Sequence, residues 1–102
     1  MSRPHYSWWG HVKAIVRAYP GRCGRELYGV ASRDQKGVED AIAVTERMGN
    51  GESRLKLIRI VHWDRTHTVE GAMIAIPCSK TTAYRWQKDF FEIVARNRDM
   101  LD

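Results

Sequence analysis

The feature that most constrains the fold is a pair of helix start signals on either side of a proline, in the stretch TVEGAMIAIPCSKTTAYRWQKDFFEIVARN. Thr68 can cap a short helix, with Glu70 in its first turn near the positive end of the helix dipole. Pro77 breaks that helix, and Ser79 caps the next one. Two helices joined by a turn of about three residues have the spacing of a helix-turn-helix. The stretch therefore predicts a C-terminal helix-turn-helix whose second helix covers residues 79–97.

Helical spacing also marks the start of the chain, in YSWWGHVKAIVRAY. Adjacent tryptophans point about 100° apart on a helix. We therefore expect one of Trp8 and Trp9 in the core and the other against a neighbouring helix or a second subunit. Pro20 and the glycine after it are predicted to end this helix, and the glycine-containing residues 20–33 are predicted to form a loop.

Two further helices are predicted in the middle of the chain. Ser32 and Gln35 have the spacing of a capping box, which indicates a helix start, and Gly49 to Gly51 indicate its end. The stretch ESRLKLIRIVHW fits both a strand and a helix, and it is taken as a helix because no partner strand is evident. The sequence therefore predicts an all-α protein with about five helices and a C-terminal helix-turn-helix.

The chain divides into two segments, which we expect to form one compact domain because 102 residues allow one modest core. Residues 1–49 form an N-terminal helical segment, with a basic, tryptophan-rich first helix, a loop and a second helix. Residues 50–102 form the segment with the helix-turn-helix.

Positive charge is concentrated in two zones of this chain, whose net charge is +5. Residues 1–25 carry no acid and five cations, namely Arg3, Lys13, Arg17, Arg22 and Arg25. Residues 71–88 carry three cations and again no acid. Concentrated positive charge favours a polyanionic partner, most often nucleic acid, although a solubilising surface would show the same pattern.

The second helix of the motif has one apolar stripe and one polar face. The stripe consists of Ala83, Trp86, Phe90 and Val94, at steps of three and four residues. The other face carries residues suited to DNA, and the candidate DNA-binding residues are Ser79, Lys80, Thr81, Tyr84, Arg85 and Lys88.

Each candidate has a physical role in groove recognition. Arg85 can form two hydrogen bonds to guanine O6 and N7. Thr81 and Tyr84 can touch bases or phosphate, while the two lysines suit the DNA backbone. Ser79 lies at a helix N-terminus, which favours phosphate. A possible second phosphate contact consists of Lys13, Arg17 and His67.

The stretch RLKLIRIVHWDRTHTVEGAMIAIPCSKTTAYRWQKDFFEIVARN resembles the C-terminal region of RinA-type phage transcriptional regulators, which is similar to the helix-turn-helix of sigma-factor region 4. The resemblance covers residues 52–97 well, the first helix loosely and the middle hardly at all. It implies a phage or prophage DNA-binding protein that controls viral genes. Two positions depart from the usual motif: Met73 stands where a small residue is expected, and Pro77 stands where the turn usually has glycine.

Catalytic and metal-binding patterns are not evident. The scattered histidines and cysteines, such as His5, His62 and Cys78, lack the paired spacing of a structural zinc site. His62 is expected near a helix end, and both cysteines are expected as reduced, mostly buried thiols. The sequence shows neither a phosphate-binding glycine loop nor a cluster of carboxylates, the patterns that would indicate an enzyme. We therefore expect no enzymatic activity, no metal and no cofactor.

The leading hypothesis is a transcriptional regulator that reads duplex DNA through residues 79–97, with RNA polymerase as a possible second partner and a homodimer as a possible state. The alternative is a small terminase subunit that binds viral DNA for packaging, although little chain remains for its oligomerisation region. A third hypothesis is a helical domain whose basic face binds an acidic protein. The apolar runs are too short to span a bilayer and no secretory signal is evident, so we expect a cytoplasmic protein of the host cell.

Overall fold

The computed structural model describes residues 7–100, so that Arg3 and His5 lie outside the described residues. The prediction of an all-α fold with about five helices is confirmed. The helices are α1 (Trp9–Arg22), α2 (Gly29–Glu46), α3 (Gly51–Ile58), α4 (Val69–Ala75) and α5 (Lys80–Asn97), and α3 continues into a π-helical turn, Arg59–Trp63. None of the described helices is long and apolar enough to cross a membrane.

Helix α5 packs against all four other helices, because it buries side chains toward two clusters. The predicted stripe is confirmed, since its four residues are at most 7% exposed. Phe90 and Val94 join a cluster with α1, α2 and α3. Ala83 and Trp86 join a second cluster with α4, the end of α3 and the π-helical turn.

The prediction that the first helix ends at Pro20 and the glycine after it is wrong, because α1 continues to Arg22. A proline inside a helix lacks the N–H that would bond to the carbonyl oxygen four residues earlier. That oxygen belongs to Val16, and it accepts a hydrogen bond from the indole Nε1–H of Trp63 at 2.9 Å. The side chain of a distant residue thus replaces the missing backbone donor, which satisfies this carbonyl despite the proline.

The second helix begins at Gly29, three residues before the predicted cap at Ser32. Gly29 has φ +60°, a conformation that glycine adopts without strain and other residues rarely adopt. Gln35 does not cap the helix, because its Nε2 donates to the Cys23 Sγ at 3.5 Å. The predicted capping box is therefore wrong, and the loop before α2 is shorter than expected.

Both tryptophans contribute to packing, as expected. Trp8 is buried, while Trp9 is partly buried and lies 4.7 Å from the Phe91 ring on α5. The prediction of mostly buried thiols is wrong, because Cys23 is exposed and Cys78 is only partly buried. Cys23 follows the last residue of α1, where the chain turns toward α2 at the surface.

The ambiguous third segment is helical, and it ends in a π-helical turn. Its final hydrogen bond runs from the Asp64 N–H to the Arg59 carbonyl oxygen at 2.7 Å. Trp63 lies 5.2 Å from the Tyr19 ring, which joins this turn to α1. The following residues, 64–67, connect this turn to α4.

Candidate nucleic-acid interface

Helices α4 and α5 form the predicted pair of helices joined by a short turn. Both predicted caps are present: the Thr68 Oγ1 accepts from the Gly71 N–H at 3.0 Å, and the Ser79 Oγ accepts from the Thr82 N–H at 3.1 Å. These bonds satisfy backbone donors that have no partner inside the helix. The first helical residue of α5 is therefore set by Ser79.

The tightly packed position on α4 is Ala72 rather than Met73. Ala72 and Ala83 are both fully buried in the same cluster, so α4 and α5 meet through small side chains. Met73 is only partly buried at the edge of that cluster. The prediction that the tightly packed position falls on Met73 is therefore wrong by one residue. Ala72 lies four residues before the buried Ile76 and so has the spacing of the same helical face.

The turn of the motif contains no residue with positive φ, unlike a turn built on glycine. Ile76, which follows α4, and Ser79, which precedes α5, both have extended backbone. Pro77 suits this arrangement because its ring restricts φ to negative values. The departure at Pro77 noted in the sequence thus accompanies a turn that differs from one built on glycine.

A single open groove brings together most of the predicted DNA-binding residues. It has a volume of about 1140 Å³ and lies between α1, the start of α4 and one face of α5. Eight of the nine candidates line it: Lys13, Arg17, His67, Lys80, Thr81, Tyr84, Arg85 and Lys88. Ser79 does not line the groove, and its hydroxyl is engaged in capping α5.

The polar face of α5 is only partly free. The side chains of Thr81 and Arg85 are exposed and make no hydrogen bond or ion pair with any residue that the structure describes. Lys80 Nζ lies 2.9 Å from Glu70 Oε1 on α4, and this carboxylate raises the pKa of the lysine. Lys88 Nζ lies 3.3 Å from Glu92 Oε1, one turn later.

The lining of the groove also contains a row of hydrogen-bonded side chains, running from α1 to α5, that the sequence did not predict. The Nε of Arg17 on α1 lies 3.3 Å from Nδ1 of His62, and Nε2 of His62 lies 2.6 Å from Oε1 of Gln87 on α5. His62 lies in the last turn of the Arg59–Trp63 segment, so the expectation of a residue near a helix end is confirmed, but its burial, at 2% exposed, was not predicted. The sequence did contain a sign of this burial. His62 follows Ile58 by four residues and therefore extends the apolar face of that helix.

Cations dominate the groove. Its lining contains five lysine and arginine side chains and one carboxylate, Asp89. The Asp89 carboxylate is engaged elsewhere, since its Oδ2 lies 2.9 Å from Nη1 of Arg54. Burial, together with the nearby charge of Arg65, lowers the pKa of Arg17 below its usual value. Lys80 and Lys88 have carboxylate partners beside the groove, whereas no carboxylate among the described residues pairs with Arg17 or Arg85, so part of the positive charge of the groove is not neutralised locally.

A second hollow, of about 590 Å³, differs in charge. It is lined by two carboxylates, two cations and two apolar side chains, which are Glu46, Glu52, Lys56, Arg59, Leu55 and Trp63. Its balanced charge gives a polyanion no net attraction, so the groove beside α5 is the better candidate interface.

Among the described residues, no three histidine, cysteine or acidic side chains lie close enough to hold a metal ion. His67 is exposed, and its Nδ1 lies 2.9 Å from the Thr66 hydroxyl. The five lysine and arginine side chains that line the groove give it the charge that attracts a polyanion. No protein-family profile, curated protein or solved structure matched the chain.

Proposed function

We propose that this protein is a transcriptional regulator that binds duplex DNA through α5. The main supporting observation is the convergence of basic and polar side chains from α1, α5 and the residues just before α4 on one groove. Phosphate contacts supply most of the affinity of such proteins, and base contacts supply sequence preference. The groove offers side chains of both kinds.

The first half of α5 is the part that would enter the major groove, which is wide enough for an α-helix. Arg85 has a free, exposed guanidinium that suits bidentate recognition of guanine. Thr81 lies four residues earlier, on the same helical face, and offers a hydroxyl and a methyl group. Tyr84 adds a phenolic hydroxyl on the neighbouring position.

Lysine side chains of α5 would act through charge. Lys80 is held by Glu70, and this exposed ion pair contributes little to stability. A DNA phosphate can therefore replace the carboxylate at small cost. Lys88 is one turn beyond Arg85 along α5, in a position to meet the DNA backbone.

The resemblance to RinA-type regulators supports the more specific proposal of a phage or prophage regulator that acts in the host cytoplasm. In that setting RNA polymerase is a second partner, and two copies of the chain bind two half-sites. The single polypeptide offers one α5 helix, and one helix reads only a few base pairs.

The proposed function is tested by selecting duplexes from a randomised DNA pool at near-physiological salt and sequencing those captured. We expect an enriched motif, which would be palindromic if the protein binds as a dimer. Capture without enrichment would favour the terminase alternative, and a ring-sized mass in solution would strengthen it. A protein that captures no duplex would contradict DNA binding and favour an acidic protein partner.

Replacing Arg85 tests base recognition within that proposal. We expect Arg85→Ala to relax the preference at one base pair and to weaken binding to the selected site by about 1–3 kcal/mol. The control is Arg96→Ala, which removes the same charge from the far end of α5, where the side chain is exposed. Equal effects of the two substitutions would show that Arg85 acts only through charge.

A further inference from the structure

We propose that Arg17 is a dedicated binding site for a DNA backbone phosphate, and that the buried His62 positions its guanidinium in the groove opposite α5. This inference rests on the proposed function. It adds His62, a residue that positions Arg17 and does not itself contact a base. The sequence alone places Arg17 among three possible phosphate contacts. The geometry singles it out from Lys13 and His67.

The hydrogen atoms of His62 can be assigned from its two partners. Arginine Nε always carries a hydrogen, so the Arg17 Nε donates and His62 Nδ1 accepts at 3.3 Å. The hydrogen of the neutral ring must then lie on Nε2, which donates to Gln87 Oε1 at 2.6 Å. The ring also packs against Phe91, with centroids 5.1 Å apart. A buried ring held on three sides thus gives the Arg17 guanidinium a fixed anchor.

This anchor leaves the outer part of the Arg17 guanidinium free. Nε is used by His62, whereas the two terminal nitrogens of Arg17 make no hydrogen bond or ion pair with any described residue. Arg17 is partly buried, so its charge has lost part of its hydration. A partly desolvated cation is stabilised by an anion, and the structure provides no carboxylate partner for it in residues 7–100.

The shape and place of the free guanidinium indicate the chemical class of the anion. A guanidinium with both terminal nitrogens free presents a planar fork that matches two oxygens of a phosphate. Arg17 lines the same groove as the face of α5 that we assign to base recognition. A duplex held by α5 would therefore bring its own backbone to the α1 side of the groove. Because phosphates are the same at every base pair, Arg17 contributes affinity and orientation without sequence preference.

The test compares salt dependence, a quantity that counts phosphate contacts. Binding of the selected duplex to the parent and to Arg17→Ala is measured between about 50 and 200 mM salt. We expect the slope of log K against log salt to fall in magnitude by about 0.9 for Arg17→Ala. Affinity at fixed salt should fall roughly tenfold, as for loss of one charged hydrogen-bonded contact. The selected motif should remain that of the parent.

The matched control is Arg33→Ala, which removes an equal charge from an exposed position on α2 outside the groove. We expect this variant to keep the slope of the parent. A slope that falls equally in both variants would overturn the inference, because the effect would then belong to net charge. A parent-like slope in Arg17→Ala would also overturn it, while leaving the proposed function intact.

The positioning role of His62 needs its own variants. His62→Phe keeps the ring and its packing on Phe91 but removes the acceptor for Arg17. We expect several-fold weaker binding with a smaller change in slope than Arg17→Ala, because the cation remains without its orientation. If His62→Phe lacks the helical circular dichroism of the parent, Arg17→Lys replaces it, since lysine keeps the charge but has no planar fork. Binding of parent strength in the folded variant would overturn the positioning role.

Capture of no duplex by the parent protein would remove both the proposed function and the phosphate site. If the parent binds duplex DNA and only the Arg17 comparison fails, the phosphate site is overturned and the proposed function stands.

Discussion

Gly51 lies at a point where the start of α3 passes against the end of α2. A Cβ at this position would be 2.5 Å from the carbonyl oxygen of Thr45 and 2.9 Å from that of Glu46. Both oxygens belong to the backbone and cannot rotate away. We therefore expect Gly51→Ala to lower the free energy of unfolding by about 1–3 kcal/mol, as overpacking does elsewhere, and urea denaturation would measure it.

Gly10 supplies the control for this substitution. It lies in the first turn of α1, and a Cβ there would meet no atom within 4 Å. Since alanine is the better helix former, Gly10→Ala should be neutral or stabilising by up to ~1 kcal/mol. Identical urea midpoints for the two variants would show that the backbones of α2 and α3 can separate at little cost.

At the scale of elements, α5 links the two clusters, and Trp86 is its largest contribution to the cluster with α4. The ring is 7% exposed, and the Arg54 guanidinium lies 5.7 Å from its centroid. We expect Trp86→Ala to cost roughly 3–5 kcal/mol of unfolding free energy, because it leaves a large cavity between α3, α4 and α5. Thermal and urea unfolding followed by circular dichroism would measure this loss.

Tyr28→Ala is the matched control, because it also truncates an aromatic side chain but at a position that is 74% exposed. Its effect should stay within about 0.5 kcal/mol, as is usual for surface positions. A Trp86→Ala protein as stable as the Tyr28→Ala protein would contradict the assignment of Trp86 to the core.

Which faces of the helices are buried could be predicted from the sequence, whereas several helix ends could not. The stripe from Ala83 to Val94 follows from local periodicity, and both caps of the helix-turn-helix follow from side chains adjacent in sequence. The continuation of α1 past Pro20 depends on Trp63, which is far away in sequence. Local rules cannot supply a hydrogen-bond donor that arrives only through tertiary packing.

The same distinction applies to the candidate interface. The polar face of α5 follows from a helical wheel, so residues such as Arg85 could be identified from helical periodicity alone. The chain from Arg17 through His62 to Gln87 joins three separate elements, and its members are 25 and 45 residues apart. No periodic pattern reports such a contact. The sequence therefore predicted which side chains line the groove, but not the hydrogen bonds between remote elements that fix their positions.

At the scale of the whole molecule, buried polar groups fasten elements that are remote in sequence. The carboxylate of Asp34 on α2 lies 2.7 Å from Nε of Arg98 just after α5 and 3.5 Å from Nη1 of Arg22 at the end of α1. The Arg17–His62–Gln87 chain joins α1 to α5 through the π-helical turn. Apolar packing favours association of the helices, and these directional contacts select one arrangement of them.

His62 makes the stability of the whole fold sensitive to acid. Burial, with the charges of Arg17, Lys13 and Arg65 acting in the same direction, lowers the pKa of His62 to about 4. In the unfolded chain a histidine has a pKa of about 6.5. The unfolded state therefore binds the proton first as the pH falls, and stability is lost between about pH 6.5 and pH 4.

We expect the parent to lose about 2 kcal/mol of unfolding free energy through His62 between about pH 7 and pH 5, measured by urea denaturation at each pH. His62→Phe should lose less than the parent over the same interval, because its buried ring cannot bind a proton. His11→Gln, which replaces an exposed histidine on α1, should keep the acid dependence of the parent. If His62→Phe and the parent lose equal stability on acidification, protonation of other groups causes the loss. The buried His62 ring would then not be the source of the acid sensitivity.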